Sequence, residues 1–151
     1  MSDITIRPAR PEEVRPALAF VHEMFLRFVW PDLEPPASER FRTCNESEEQ
    51  IQQYEVGQWR MFLALDRDRI VGIAAERDGS HIRKLFVDPA YHRQGIAAAL
   101  MDAIIAAMET PRITLNSSRH GLPFYLKYGF VPTDTEQNHK GFIYTPMEYN
   151  L

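Results

Sequence analysis

Apolar residues recur along this chain with two different periods. Ile4 and Ile6 alternate with polar neighbours and are closed off by Pro8 and Pro11, which predicts a short strand. Over residues 11–29, Val14, Leu18, Val21, Phe25 and Phe28 recur at helical spacing, with Glu13, His22, Glu23 and Arg27 between them. Pro11 suits the first turn of that helix, and Pro16 is expected to delay its regular start or bend it. Residues 30–36 hold three prolines and predict a loop. A second helix is expected to begin near Asn45 or Ser47. Ser47 and Gln50 have capping-box spacing, and Ile51 and Tyr54 supply a thin apolar face.

After Gly57 the texture becomes strand-like. Residues 59–65, 70–75 and 82–87 read as strands, separated by Asp66-Arg67-Asp68 and by Asp78-Gly79, which predicts antiparallel hairpins. Residues 94–108 read as a helix with Ile96, Leu100, Ile104 and Met108 on one face, ended by Pro111. A strand at 113–115 follows, then a short helix at 123–128 with Gly129 as its C-terminal cap. Two strands, near 130–132 and 141–149, close the pattern. The fold class expected is α/β (α+β): one mixed, mostly antiparallel sheet of about seven strands flanked by about four helices, with residues 1–151 as a single domain.

Composition narrows the picture. The chain has 151 residues, 44% hydrophobic and 25% charged, which suits one folded domain and excludes a mainly disordered chain. The longest apolar runs, 96–101 and 103–108, are divided by Asp102, and neither approaches the roughly 18 residues of a membrane span. The charged N-terminus does not resemble a secretory signal, and one cysteine, Cys44, cannot form an internal disulfide. A cytoplasmic protein is expected, with no membrane partner and as a monomer or homodimer. The net charge of −4 argues against nucleic acid. Between Asp32 and Glu55, seven acids face two arginines, a balance of −5. That segment is either a solvated face or an acidic rim that attracts a cationic substrate.

The chemistry concentrates in residues 81–100, HIRKLFVDPAYHRQGIAAAL. A strand ending Leu85-Phe86-Val87 turns into a helix that opens His92-Arg93-Gln94-Gly95-Ile96-Ala97. Gly95 and the small Ala97 allow close backbone approach, and a helix start with free N–H groups attracts anions. Taken alone, Gly95 could equally mark a tight strand-to-helix turn. The spacing is neither that of a dinucleotide-binding loop nor that of a Walker loop.

This segment resembles motif A of the GNAT superfamily of acetyl-CoA-dependent acyltransferases, with Leu85-x-Val87 as the strand and His92-x-x-Gly95-x-Ala97 as the helix start. His92 departs from the usual Gln or Arg. Asn116, followed by Phe124-Tyr125 and Gly129-Phe130, resembles the same family's motif B. The resemblance implies a GNAT-like fold and acetyl-CoA as cosubstrate, with transfer to a primary amine of a small molecule or peptide in a ternary complex. It also implies that Leu85, Phe86, Val87, Arg93, Gln94, Gly95, Ile96, Ala97, Ala98 and Asn116 bind coenzyme A. The amides of residues 93–98 would cradle its pyrophosphate, and the Leu85 N–H would face the thioester carbonyl. Tyr125 matches the tyrosine that protonates the leaving thiolate; its other reading is a core aromatic. Asn116 also reads as a strand-end turn residue.

The resemblance places a general base four residues before Leu85, at His81, whose ordinary pKa near 6.5 suits the task. His81 also reads as an exposed residue beside a turn, and Glu76 is the second candidate base. The five histidines lack metal-ligand spacing, so no metal is expected. Cys44 reads as a passive thiol. The aromatic group Phe25, Phe28 and Trp30 reads as core, although the segment joining the first helices usually lines the acceptor site in this family. A non-catalytic acyl-CoA-binding regulatory module with the same fold is the alternative function.

Overall fold

The computed structural model describes residues 3–43 and 46–151. In chain order it runs β1 (Ile4–Pro8), α1 (Val14–Phe28), α2 (Ala37–Arg40), α3 (Glu48–Glu55), β2 (Met61–Asp66), β3 (Arg69–Arg77), β4 (His81–Val87), α4 (Ile96–Ala106), β5 (Arg112–Ser117), α5 (Leu122–Tyr128), β6 (Val131–Pro132), β7 (Gln137–His139) and β8 (Phe142–Asn150). The order matches the sequence pattern, with two additions. Four-residue α2 is too short for a periodic signature, and polar β7 pairs on β8 without an apolar face of its own. Cys44 and Asn45 lie outside the described residues.

Layering follows from the strands. Val71 and Ala74 of β3 pack on one side of the sheet with Ile96, Leu100 and Ile104 of α4. Ile73 and Ala75 pack on the other side with Val14, Ala17 and Val21 of α1 and Tyr54 of α3. A strand covered on both faces reads as a continuous apolar run, as β3 does. Pro16 falls in the first turn of α1, where its missing N–H costs no helical hydrogen bond. The capping box at α3 forms as expected: Gln50 N–H donates to Ser47 Oγ at 3.2 Å, and Ser47 N–H donates to Gln50 Oε1 at 2.9 Å.

The sheet order is β1-β2-β3-β4-β5-β8-β6, antiparallel except between β4 and β5. Those two strands pair at two positions, His81 with Thr114 and Ile82 with Leu115, and then part. The partition leaves the β5-facing edge of residues 83–87 without a strand partner. A second irregularity lies opposite: Glu76 pairs with Ile82, but Ala75 pairs with Lys84. Arg83 is therefore the extra residue of a β-bulge. Because of it, Ile82 and Leu85 share the α4 side of the sheet, while Arg83 and Lys84 both turn to the α1–α3 side.

Candidate active site

The parting of β4 and β5 opens a cavity of about 980 Å³. Its lining brings together His81, Leu85, Phe86, Val87, Arg93, Gly95, Ile96, Ala97, Ala98, Asn116 and Tyr125. Of the residues singled out in the sequence, Gln94 and Glu76 do not line it.

One end is made of backbone. Arg93 and Gly95 both take positive φ, 65° and 75°, which curls the chain tightly before α4. The Ala99 N–H is bonded to Gly95 O at 3.0 Å, whereas the N–H groups of Gly95, Ile96, Ala97 and Ala98 find no backbone carbonyl among the described residues. These amides and the positive end of the helix dipole suit an anion. A Cβ at Gly95 would meet no protein atom within 4 Å, so the concavity is open at that point. The His92 ring is turned back on the preceding strand, with Nε2 3.0 Å from Val87 O. The departure at His92 thus leaves the amides in place. A phosphate-bearing ligand of the coenzyme A type fits these donors.

In the middle stands Tyr125, on α5. It is 9% exposed and packs on Phe124 and Phe130, with ring centroids 5.6 and 5.9 Å away. Gly121, one turn earlier, makes room for it: a Cβ there would stand 2.9 Å from Tyr125 Cε2. Three tyrosines line the cavity. Tyr91 donates to Asp66 Oδ2 and Tyr128 to Asp102 Oδ1, each at 2.6 Å. The Tyr125 hydroxyl has no hydrogen-bond partner among the described residues. Burial raises its pKa well above the ordinary phenol value, so it stays a protonated donor.

The far end is built of side chains. The His81 Nδ1 lies 2.8 Å from Thr114 Oγ1, across the one short stretch where β4 and β5 pair. Burial, then the charges of Arg77 and Arg83, push its pKa down to about 4. The imidazole is therefore neutral at pH 7, and the ordinary value near 6.5 does not apply. Glu76 is excluded as a base by its position. It is fully buried, with Oε2 accepting from Arg60 N–H at 2.7 Å and Oε1 from Gly79 N–H at 2.6 Å, which braces the β3–β4 turn.

No acid of the segment between Asp32 and Glu55 lines the cavity. Glu48 and Glu55 pair with Arg15, Asp32 lies 3.9 Å from Arg119, and Glu34 accepts from Asn138. Glu46, two residues before α3, is 4% exposed and held by the two bulge residues. Arg83 Nη1 donates to its Oε2 at 2.8 Å, and Lys84 Nζ forms an ion pair with its Oε1 at 2.8 Å. Burial opposes charge on Glu46, but Lys84 and Arg83 outweigh it and hold the carboxyl below its ordinary range. Sequence reading missed this cluster. Its signal was two adjacent cations inside an apolar strand, which only a bulge can place on one face. The aromatic walls were read in part: Phe25 and Phe28 line the cavity and Trp30 does not, while Phe41, 6.3 Å from Phe25 and 5.4 Å from Phe142, and the stacking of Phe28 on His120 at 4.4 Å were missed.

Residues 29–151 match the family profile described as acetyltransferase (GNAT) domain. The chain belongs to that family. It is 32% identical over 84 residues to the uncharacterized N-acetyltransferase YafP of Escherichia coli (strain K12). That match takes in 52% of this chain and 55% of the relative, so it spans about half the relative's length. Among solved structures, a GCN5-related N-acetyltransferase from Rhodopseudomonas palustris superimposes with a TM-score of 0.80 at 22% identity, covering 100% of this chain and 98% of that one. The PaiA N-acetyltransferase of Thermoplasma acidophilum, in complex with coenzyme A, gives 0.75 at 17% identity, with 99% of each chain covered. Both share the GNAT fold. No described helix is long and apolar enough to cross a membrane.

Proposed function

We propose that this protein transfers the acetyl group of acetyl-CoA to the nitrogen of an amine-bearing small molecule or peptide, with both substrates bound at once. The observation that carries the reading is the uncommitted Tyr125 hydroxyl, which opens into the same cavity as the unpaired amides at the start of α4. Those amides hold the pyrophosphate, and the unpaired edge of β4 runs beside the pantetheine arm, with Asn116 across from it. The Leu85 N–H faces the thioester carbonyl, where a fixed donor is worth most as negative charge develops on oxygen. Tyr125 gives its proton to the departing thiolate.

His81 takes the proton of the attacking amine through bridging water, since it stands four residues of strand, about 13 Å, before Leu85. In the tautomer whose Nδ1–H donates to Thr114 Oγ1, the Nε2 lone pair is free for this. An imidazole with a pKa of about 4 cannot strip a free ammonium group. It can take the proton once the C–N bond has begun to form, because the nitrogen then becomes far more acidic. The acceptor therefore enters as its free base.

Isothermal titration with acetyl-CoA, beside a thiol-release assay over an amine panel, tests the reading. Micromolar binding with release on at least one amine is expected. Binding without release on any amine replaces the enzyme with an acyl-CoA-binding module.

A further inference from the structure

The cavity reaches both faces of the sheet, because its lining draws on the apolar clusters of both. On the α4 side lie Leu85, Ile96 and the amides that suit a phosphate. On the α1 side lie Phe25, Phe41, Phe86 and Phe142, which share one cluster with Val29. Phe41 stands edge-on to both Phe25 and Phe142. A wall of this kind takes up flat apolar groups by burial and by edge-to-face contact.

Charge narrows what enters there. Arg83 and Lys84 turn to the α1 side, and the buried Glu46 carboxylate holds both. Among the described residues no aspartate or glutamate lines the cavity. An ammonium group would give up its water and meet no carboxylate in exchange. The acceptor therefore binds as the neutral amine, and its affinity comes from the rest of the molecule.

The α1 side is also fastened behind the wall. Residues 30–40, between Val29 and Phe41, form a strap joined main chain to main chain with the β7–β8 turn. Glu34 N–H donates to Gly141 O at 2.8 Å, and Ala37 N–H donates to Lys140 O at 3.0 Å. The two backbones lie so close that a Cβ at Gly141 would run into Glu34 O. Asn138 secures the same place: its Nδ2 donates to Glu34 Oε1 at 3.1 Å, and its Oδ1 accepts from Gly141 N–H at 2.8 Å. Phe142 follows Gly141 directly, so this join backs the aromatic wall. A peptide held by its amino terminus must lead its next residues out of the cavity, and between strap and hairpin the way is shut.

We infer that the acceptor is a small amine borne on an aromatic or other flat apolar group, enclosed on the α1 side of the sheet against Phe25, Phe41 and Phe142. The inference rests on the acyl transfer proposed above and adds the acceptor's class. It also replaces the expectation of a cationic acceptor.

The test compares kcat/KM for phenethylamine, ethanolamine, spermidine and a tetrapeptide with an amino-terminal phenylalanine. Phenethylamine and ethanolamine are of similar basicity, so a preference between them reports on the ring. Phenethylamine is expected to exceed ethanolamine and spermidine by about 10–100-fold, the worth of burying one phenyl group. The tetrapeptide carries the same ring on a less basic amine, with a larger free-base fraction, and is expected below phenethylamine all the same. In Phe41→Ala the ratio of phenethylamine to ethanolamine should shrink towards one, with the acetyl-CoA Kd measured beside it as a check on the α4 side. Phe142→Ala gives the same readout should Phe41→Ala fail to fold. Equal kcat/KM for phenethylamine and ethanolamine, or a preference for spermidine or the tetrapeptide, overturns the inference and leaves the acetyl transfer standing. A ring preference that survives in both variants overturns the role of the wall. Absence of release with every amine, in a protein that binds acetyl-CoA, overturns the acetyl-transfer reading itself.

Discussion

The two ends of the cavity are built on different principles. The α4 end comes from one continuous stretch, residues 92–98, and presents backbone amides whose direction is set by two positive φ angles. The β4 end is assembled from α1, the segment between α2 and α3, the bulge in β4, and β8, and it presents side chains. A backbone site tolerates change in side chains, as His92 illustrates. An assembled site changes its chemistry with each residue. Such a molecule keeps its acyl donor while its acceptor varies.

The sharpest way to break the cradle and spare the other end is Gly95→Val. A β-branched residue at φ 75° strains the turn by about 1–2 kcal/mol, and its methyl groups enter the open concavity. Losing two charge-assisted hydrogen bonds at about 1.5–3 kcal/mol each predicts a rise in the acetyl-CoA Kd of about 10³-fold. Calorimetry on a protein with wild-type circular dichroism measures it. Unchanged affinity removes the α4 start from the binding site.

The complementary break is Glu46→Ala. It leaves Arg83 and Lys84 in a half-closed environment without their counter-ion. Destabilisation of about 3 kcal/mol is expected, at the low end for a broken buried pair because Lys84, whose pKa burial already lowers, can shed its proton. A urea melt reads this loss. If the folded fraction binds acetyl-CoA with altered affinity, the two ends are not separable.

How far the sequence reached follows the same division. The His92–Ala97 turn, the motif around Tyr125 and the strands with helix α4 were legible because each depends on neighbours in the chain. The choice between His81 and Glu76 was not, since Glu76's partners are the Arg60 and Gly79 amides, fixed by strand register. The acidic segment misled for a similar reason. Charge counted along a chain says nothing of the Arg15, Arg83 and Lys84 that fold onto it. The bulge at Arg83 marks the pattern only as two adjacent cations inside an apolar strand, yet it decides which side chains face the acceptor.

Between the two ends, Tyr125→Phe removes one hydroxyl and leaves the ring packed on Phe124 and Phe130. Coenzyme A affinity should hold while kcat falls by about 10², the lower end for a general acid because a thiol leaves fairly readily. Tyr128→Phe is the control, since its hydroxyl is committed to Asp102. Equal losses in both variants would assign the effect to packing.

The smallest effect belongs to His81, and it reports on the acceptor end by pH. With a pKa of about 4, the imidazole is neutral through the physiological range, and kcat/KM should lose its His81-dependent part only as pH falls towards 4. A limb near 6.5, the ordinary histidine value, would mean that the site is wetter than the buried His81–Thr114 pair implies. His81→Ala should lower the plateau by about tenfold, since a weak base supplies less than the usual 10² of general-base catalysis. Stability gives an independent reading. A histidine depressed on folding favours the neutral native state, so its contribution is complete above pH 6.5 and is lost as pH falls from 6.5 through 4. The urea midpoint of the wild type should therefore drop more steeply over that window than that of His81→Ala. If the two slopes are parallel, His81 titrates in the folded protein as it does unfolded. The kinetic limb must then be sought near 6.5, with His81 acting as an ordinary base instead of a buried acceptor of hydrogen bonds.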